Sequence, residues 1–224
     1  MKERYIRNIP AVSEEEQAAL SGKRVLVVGC GGLGGCLIEH LARMGVGEIT
    51  AVDGDAFEPS NLNRQLLSTQ DLLGTGKALA AQARARAVNP EVTVRAVEAF
   101  LDESNADELV RGQDLVLDAL DSVPARLVLE DACARADAVI VHGAIQGWSV
   151  QAAVVPAGSG LLRRLYGGAA KAQPEKTSLP FTPAFCAAVQ AAEAVKLLCG
   201  RPTALEGKLL VADLQWMEWD ILMV

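Results

Sequence analysis

One glycine-rich turn and four charged side chains are the places where this chain could do chemistry. The turn is Gly29-Cys30-Gly31-Gly32-Leu33-Gly34, and the charged residues are Asp53, Arg64, Lys77 and Asp121. Glycines let the backbone turn sharply and let a phosphate approach the main chain. A helix opening at that point offers free N–H groups and the positive end of its dipole to the same phosphate. An acid about 20 residues beyond such a turn commonly bonds a ribose hydroxyl, and Asp53 has that spacing from Gly34. This unit alone leaves NAD, FAD and ATP open.

Three further positions narrow the choice. Asn61-Leu62-Asn63-Arg64-Gln65 follows Asp55, beyond the carboxyl end of a strand, where one arginine can reach phosphates over the turn. Taken alone, that run is a solvated loop. Lys77 stands in the first turn of a helix, where a cation opposes the dipole by roughly a few tenths of a kcal/mol, and a bound polyphosphate would reverse the penalty. Asp121 directly follows an apolar strand. A carboxylate there can hold Mg²⁺ beside phosphate oxygens and water, or cap the next helix. An arginine, a lysine and a metal-binding carboxylate around one glycine turn suit a triphosphate, not a nicotinamide.

The elements that must position these groups are legible from periodicity. Val25–Val28 is a short apolar run that reads as a buried strand; Leu33, Leu37, Ile38, Leu41 and Met44 then recur at helical spacing, and 49–52 is a second strand. Ser13 and Glu16 form a capping-box pattern that predicts a helix over 13–20, preceded by an arm carrying Arg4 and Arg7. Thr75-Gly76 opens a helix that runs to Val88 and ends before Asn89-Pro90. Strands are expected at 92–97 and 114–120, with a helix at 103–110 between them. Ser122 and Pro124 begin a helix over 123–136, and Gly147 separates a strand at 138–141 from its hairpin partner at 148–155. The stretch 156–182 carries no clear period and reads as an exposed crossing loop. A helix from an N-capping Thr182 to Cys199 follows, then strands at 208–213 and 215–222. The expected fold is α/β: a Rossmann-like, doubly wound, mainly parallel sheet with antiparallel strands toward the C-terminus. It forms one domain over 1–224.

Composition bounds the function. With 224 residues, 50% hydrophobic, the chain suits one α/β domain with an ample core. A net charge of −7 argues against a general nucleic-acid surface. There is no charged-then-apolar leader at the N-terminus, and no run approaches the ~18 apolar residues of a membrane span. Five cysteines without a C-x-x-C pair argue against a disulfide framework and a structural zinc, so a reduced cytoplasmic protein is expected.

The motifs G-C-G-G-L-G, V-D-G-D, N-L-N-R-Q, Gly76-Lys77, Asn89-Pro90 and D-S-V-P-A-R (Asp121 to Arg126) occur in this order. Together with the opening R-Y-I-R-N and the late helix A-V-Q-A-A-E-A-V-K-L-L-C-G, they span nearly the whole chain. The sequence thus resembles the ThiF/MoeB/HesA family, prokaryotic relatives of the ubiquitin-activating enzymes. The resemblance implies an adenylyltransferase: the C-terminal Gly-Gly carboxylate of a ubiquitin-like sulfur carrier, serving molybdopterin, tungstopterin or thiamine synthesis, attacks the α-phosphate of ATP. Carried over by position, Gly29, Gly31, Gly32 and Gly34 line the nucleotide, Asp53 binds the ribose, and Asp55 belongs to the same nucleotide-binding run. Arg64 and Lys77 bind phosphates, Asn61 and Gln65 shape the phosphate pocket, and Asp121 holds Mg²⁺. Arg7 would reach into a neighbouring subunit's site, which implies a homodimer.

Departures from the family pattern shape the expectation further. Many members bind zinc through two C-x-x-C pairs that this chain lacks, so no zinc is expected. Residues 157–182 contain no cysteine, and Cys186 just beyond them reads as a packing residue, so adenylation without sulfur transfer is expected. His40 and His142 read as structural. Rival readings are a family member adenylating a carboxylate on a tRNA base, a non-catalytic scaffold homologue, and a Rossmann dehydrogenase.

Overall fold

The computed structural model describes residues 2–167 and 177–224. Eight strands form one sheet in the order β3-β2-β1-β4-β5-β6-β7-β8. The strands are β1 (Arg24–Val28), β2 (Glu48–Val52), β3 (Thr93–Val97), β4 (Leu115–Asp118), β5 (Ile140–Gln146), β6 (Ser149–Val155), β7 (Lys208–Asp213) and β8 (Glu218–Met223). Strands β1 to β5 pair in parallel, and β6, β7 and β8 are added antiparallel. This is the doubly wound, mainly parallel sheet expected from the periodicity.

The helices are α1 (Glu14–Leu20), α2 (Gly32–Met44), α3 (Lys77–Val88), α4 (Ala106–Val110), α5 (Val123–Ala136), α6 (Leu161–Tyr166) and α7 (Phe181–Leu198). Strand β1 shows why the sheet lies between two helix layers. Val25 and Val27 join one apolar cluster, Leu26 and Val28 the other, and all four are buried. A parallel strand covered on both faces has no polar side to alternate with, hence its continuous apolar run. Helices α2, α3 and α7 supply the first cluster, and α4, α5 and α6 the second. Alanines along α7 let it pack closely on α2, β5 and β6. By length and composition α7 could also cross a membrane, but half of it is buried inside the fold, as a core helix should be.

Several boundaries differ from expectation. Helix α4 starts at Ala106 rather than 103, because the Asn105 carboxamide accepts from the Asp102 amide and Asp102 accepts from Ser104. Strand β4 ends at Asp118 and β5 continues to Gln146 before the turn at Gly147, where φ is +56°. Strand β8 begins at Glu218, after a turn that Asp213 holds by accepting from the amides of Gln215 and Trp216. Thr182 is not the cap of α7. The helix begins one residue earlier, and the Thr182 hydroxyl donates to the Gly147 carbonyl at 2.8 Å. The N-terminal arm is a docked 3₁₀ turn (Glu3–Asn8), with Tyr5 buried and Arg4 bonded to Asn89.

The expected crossing loop, 156–182, contains α6, and its stretch 168–176 lies outside the described residues. Helix α6 has no local cap. The buried Glu130 carboxylate on α5 instead accepts from the amides of Leu162 (2.7 Å) and Arg163 (3.0 Å). A helix of one and a half turns capped from another element leaves no periodic signal in its own sequence.

Candidate active site

Strand order reverses between β1 and β4, and a cleft of about 500 Å³ opens there at the carboxyl ends of the strands. This is where open α/β sheets bind ligands. Gly29 turns out of β1 at φ +95°, and a Cβ there would lie 2.6 Å from the Ala119 carbonyl oxygen of the neighbouring loop. At Gly34 a Cβ would fall 1.7 Å from the Gly29 carbonyl oxygen. The last glycine thus permits α2 to rest on the turn and does not line the cleft, whereas Gly29, Gly31 and Gly32 do.

Asp53, at the end of β2, holds the turn in shape. Its carboxylate accepts from the Cys30 amide at 2.7 Å and from the Asp55 amide at 2.8 Å. Burial pushes this carboxyl above its usual range, with those two amides acting in the opposite direction. Asp55 and Lys77 form an ion pair at 2.9 Å, and the Lys77 amide also donates to the Asp55 carbonyl. Lys77 is 7% exposed, so its stem is enclosed while its ammonium reaches the cleft wall. Its unfavourable position at the helix start is therefore offset within the chain by Asp55.

Arg64 comes from the loop after the 3₁₀ turn Pro59–Asn61 and donates to the Ser60 carbonyl (2.9 Å) and to Asn63 (2.8 Å). Gln65 and Asp121 also line the cleft. Besides Gly34, two further sequence-derived positions do not. Asn61 is buried and its side-chain oxygen caps the 3₁₀ turn by accepting from the Glu58 amide at 3.0 Å. Arg7 lies exposed on the N-terminal arm, away from the cleft of its own chain.

The lining residues fit a nucleotide. Helix α2 has no side-chain cap at Gly31, so no side chain closes its start against an anion, whereas the first amide of α3, that of Lys77, already donates to the Asp55 carbonyl. Gln65 is 7% exposed, and among the described residues its side-chain oxygen has no hydrogen-bond partner. An unsatisfied buried acceptor costs about 1–3 kcal/mol, which a ligand donor would recover. Among the described residues no group of three His, Cys, Asp or Glu could hold a metal, so a cation would need phosphate oxygens beside Asp121.

Sequence reasoning passed over several lining residues. Phe100 stands 65% exposed at the mouth, and a Cβ on Gly54 would meet its ring at 2.7 Å. An isolated aromatic just past β3 was the available signal. Arg126 and Tyr166 line the inner wall, the guanidinium 5.2 Å over the ring centroid. Arg126 closes the D-S-V-P-A-R run, but its direction depends on β5 and α6. Cys186 is fully enclosed, its thiol 3.4 Å from the Gln151 carbonyl and pushed by burial up to about 12, which makes it a packing residue.

The glycine turn, the acid at the end of β2 and the cations over the strand ends define a Rossmann-type nucleotide-binding α/β domain. Its family follows from comparison with known proteins: the chain belongs to the ThiF family, matched over residues 3–224. It is 40% identical to a SAMP-activating enzyme E1 of Haloferax volcanii, over 97% of this chain and 83% of that protein. It is 38% identical to a sulfur carrier protein adenylyltransferase of Thermus thermophilus, over 94% and 83% respectively. In fold it is similar to E. coli MccB in its ATP complex, with a TM-score of 0.85 at 21% identity, covering 100% of this chain and 72% of that one.

Proposed function

We propose that this chain is an ATP- and Mg²⁺-dependent adenylyltransferase that activates the C-terminal Gly-Gly carboxylate of a ubiquitin-like sulfur carrier of the molybdopterin, tungstopterin or thiamine type. The observation that carries the reading is the convergence of Arg64, Lys77 and Asp121 on one cleft above the glycine turn. The names of the two relatives, an activating enzyme and a carrier-protein adenylyltransferase, support it.

The chemistry suits this cast. A carrier carboxylate oxygen forms a bond to the α-phosphorus of ATP, and the bond from that phosphorus to the bridging oxygen breaks, giving acyl-adenylate and pyrophosphate. The carboxylate is already ionised near pH 7, so no general base is required. The barrier is charge repulsion, and neutralising the phosphoryl oxygens is the main task. Arg64 and Lys77 supply fixed positive charge, the α2 start supplies N–H donors, and Asp53 accepts from the ribose. Mg²⁺ at Asp121 would add charge neutralisation on phosphate oxygens. In this reading the protein is a cytoplasmic homodimer in which Arg7 completes the neighbouring site, sulfur transfer lies elsewhere, and neither zinc nor nucleic acid takes part.

The test is pyrophosphate exchange into ATP with each small Gly-Gly-ended carrier of the source organism, paired with a version lacking its last glycine. Exchange with one intact carrier, lost on truncation, is the expected result. Tight Mg-ATP binding without exchange for any carrier would move the substrate to another carboxylate, such as one on a tRNA base. Failure to bind ATP at all would leave only a scaffold.

A further inference from the structure

Beneath the cleft, a line of enclosed polar groups joins four elements. Asp118, at the end of β4, is fully buried and three residues before Asp121. One of its carboxylate oxygens accepts from the Leu120 amide at 2.9 Å. The other lies 2.6 Å from His142 Nδ1 on β5 and 3.5 Å from Arg126 Nε on α5. His142 is itself fully buried, and its Nε2 lies 2.9 Å from the Tyr166 hydroxyl on α6. Arg126 donates to the Leu120 carbonyl at 2.5 Å, inside the loop that carries Asp121.

Proton counting gives this line a direction. Arg126 keeps Asp118 ionised, with its carboxyl below the usual range despite burial, so Asp118 can only accept. His142 therefore donates from Nδ1. Burial holds the imidazole pKa below its usual value, so Nε2 carries a lone pair at neutral pH. The Tyr166 hydroxyl is the donor that faces Nε2 at 2.9 Å, and it also faces the Gln151 side-chain oxygen at 3.1 Å, so its single proton serves one or the other of these two acceptors. The ring of Tyr166 also faces the Arg126 guanidinium.

We propose that His142 is a positioning residue: by holding Asp118 and Tyr166 on either side of Arg126, it fixes the loop that carries Asp121 at the geometry needed for a Mg²⁺-bound nucleotide. This rests on the nucleotide reading of the cleft given above. A core histidine kept only for packing would support the fold without discriminating between metal-bound and metal-free nucleotide.

The experiment is calorimetric titration of the full chain with ATP, with and without Mg²⁺, comparing wild type, Tyr166→Phe, His142→Asn and His142→Leu. Tyr166→Phe keeps the ring over Arg126 and removes only the hydroxyl. His142→Asn retains a donor toward Asp118, which His142→Leu lacks. The expected result is about tenfold weaker Mg-ATP binding for Tyr166→Phe, with a clearly smaller loss for metal-free ATP. His142→Leu should lose more than His142→Asn. Nitrogen NMR of the wild type, which has only two histidines, should show His142 protonated at Nδ1. A folded Tyr166→Phe with wild-type Mg-ATP affinity, an equal loss for both nucleotide forms, or an Nε2-protonated His142 would overturn the proposal. A wild-type chain that binds neither form would instead sink the nucleotide reading itself, before any variant is compared.

Discussion

Arg64 reaches the cleft from an exposed loop, whereas Lys77 reaches it from an enclosed helix start, paired with Asp55. In the proposed reaction both, with Asp121, would offset the negative charge on the phosphoryl oxygens. Replacing Asp121 or Arg64 by alanine should therefore lower the pyrophosphate-exchange rate by roughly 10²–10³ while leaving the fold intact. Titration of His142 gives a second expectation at this scale. The folded chain holds His142 neutral, with a pKa below the ordinary 6.5. Between those two values the unfolded chain binds a proton that the folded chain does not, so stability falls as pH drops below 6.5. His40 is displaced in the same direction by burial. Urea midpoints should be lower at about pH 5.5 than at about pH 7.5, and His142→Asn should narrow the difference. Residue types revealed Asp53, Arg64, Lys77 and Asp121 because each has a chemical reason to follow a strand or open a helix. They did not reveal the His142 line, whose partners lie 24 residues away in both directions along the chain.

At the level of elements, the join between β1 and α2 is the least tolerant point. Gly34→Ala would place a Cβ 1.7 Å from the Gly29 carbonyl oxygen, and neither backbone can yield without moving the helix off the turn. A loss of about 3 kcal/mol in unfolding free energy is expected, measurable by urea denaturation, with nucleotide binding lost alongside it. Helix α6 offers the converse case. Its first amides depend on Glu130, so Glu130→Ala should cost about 1–3 kcal/mol and speed hydrogen exchange at Leu162 and Arg163 well before β1 or β4 is affected. Capping at α1 was readable because Ser13 and Glu16 cap it from within four residues of sequence. Capping at α6 was not, because its acceptor comes from another helix.

For the whole molecule, the proposed exchange of Arg7 between subunits makes a sharp prediction. Arg7→Ala and Asp121→Ala chains, each inactive alone, should recover activity when unfolded together and refolded as a mixture, because a hybrid dimer contains one intact site. With random pairing, about a quarter of wild-type exchange activity is expected, and no recovery would mean that each chain works alone.

What the sequence by itself determined is the local grammar. A continuous apolar run specified a strand covered on both faces, the glycine turn specified a sharp and close join between β1 and α2, and the hairpin at Gly147 followed from its turn residue. These are short-range properties, written within a few residues of where they act. Only the tertiary structure decided which groups share the cleft, and it removed Gly34 and Asn61 from the lining while adding Phe100, Arg126 and Tyr166. It also turned His142 from a residue closing a strand into the centre of a hydrogen-bonded line. The reason is physical: side-chain direction and hydrogen-bond partnership across a sheet depend on strand order and helix docking, and neither is set until distant elements pack.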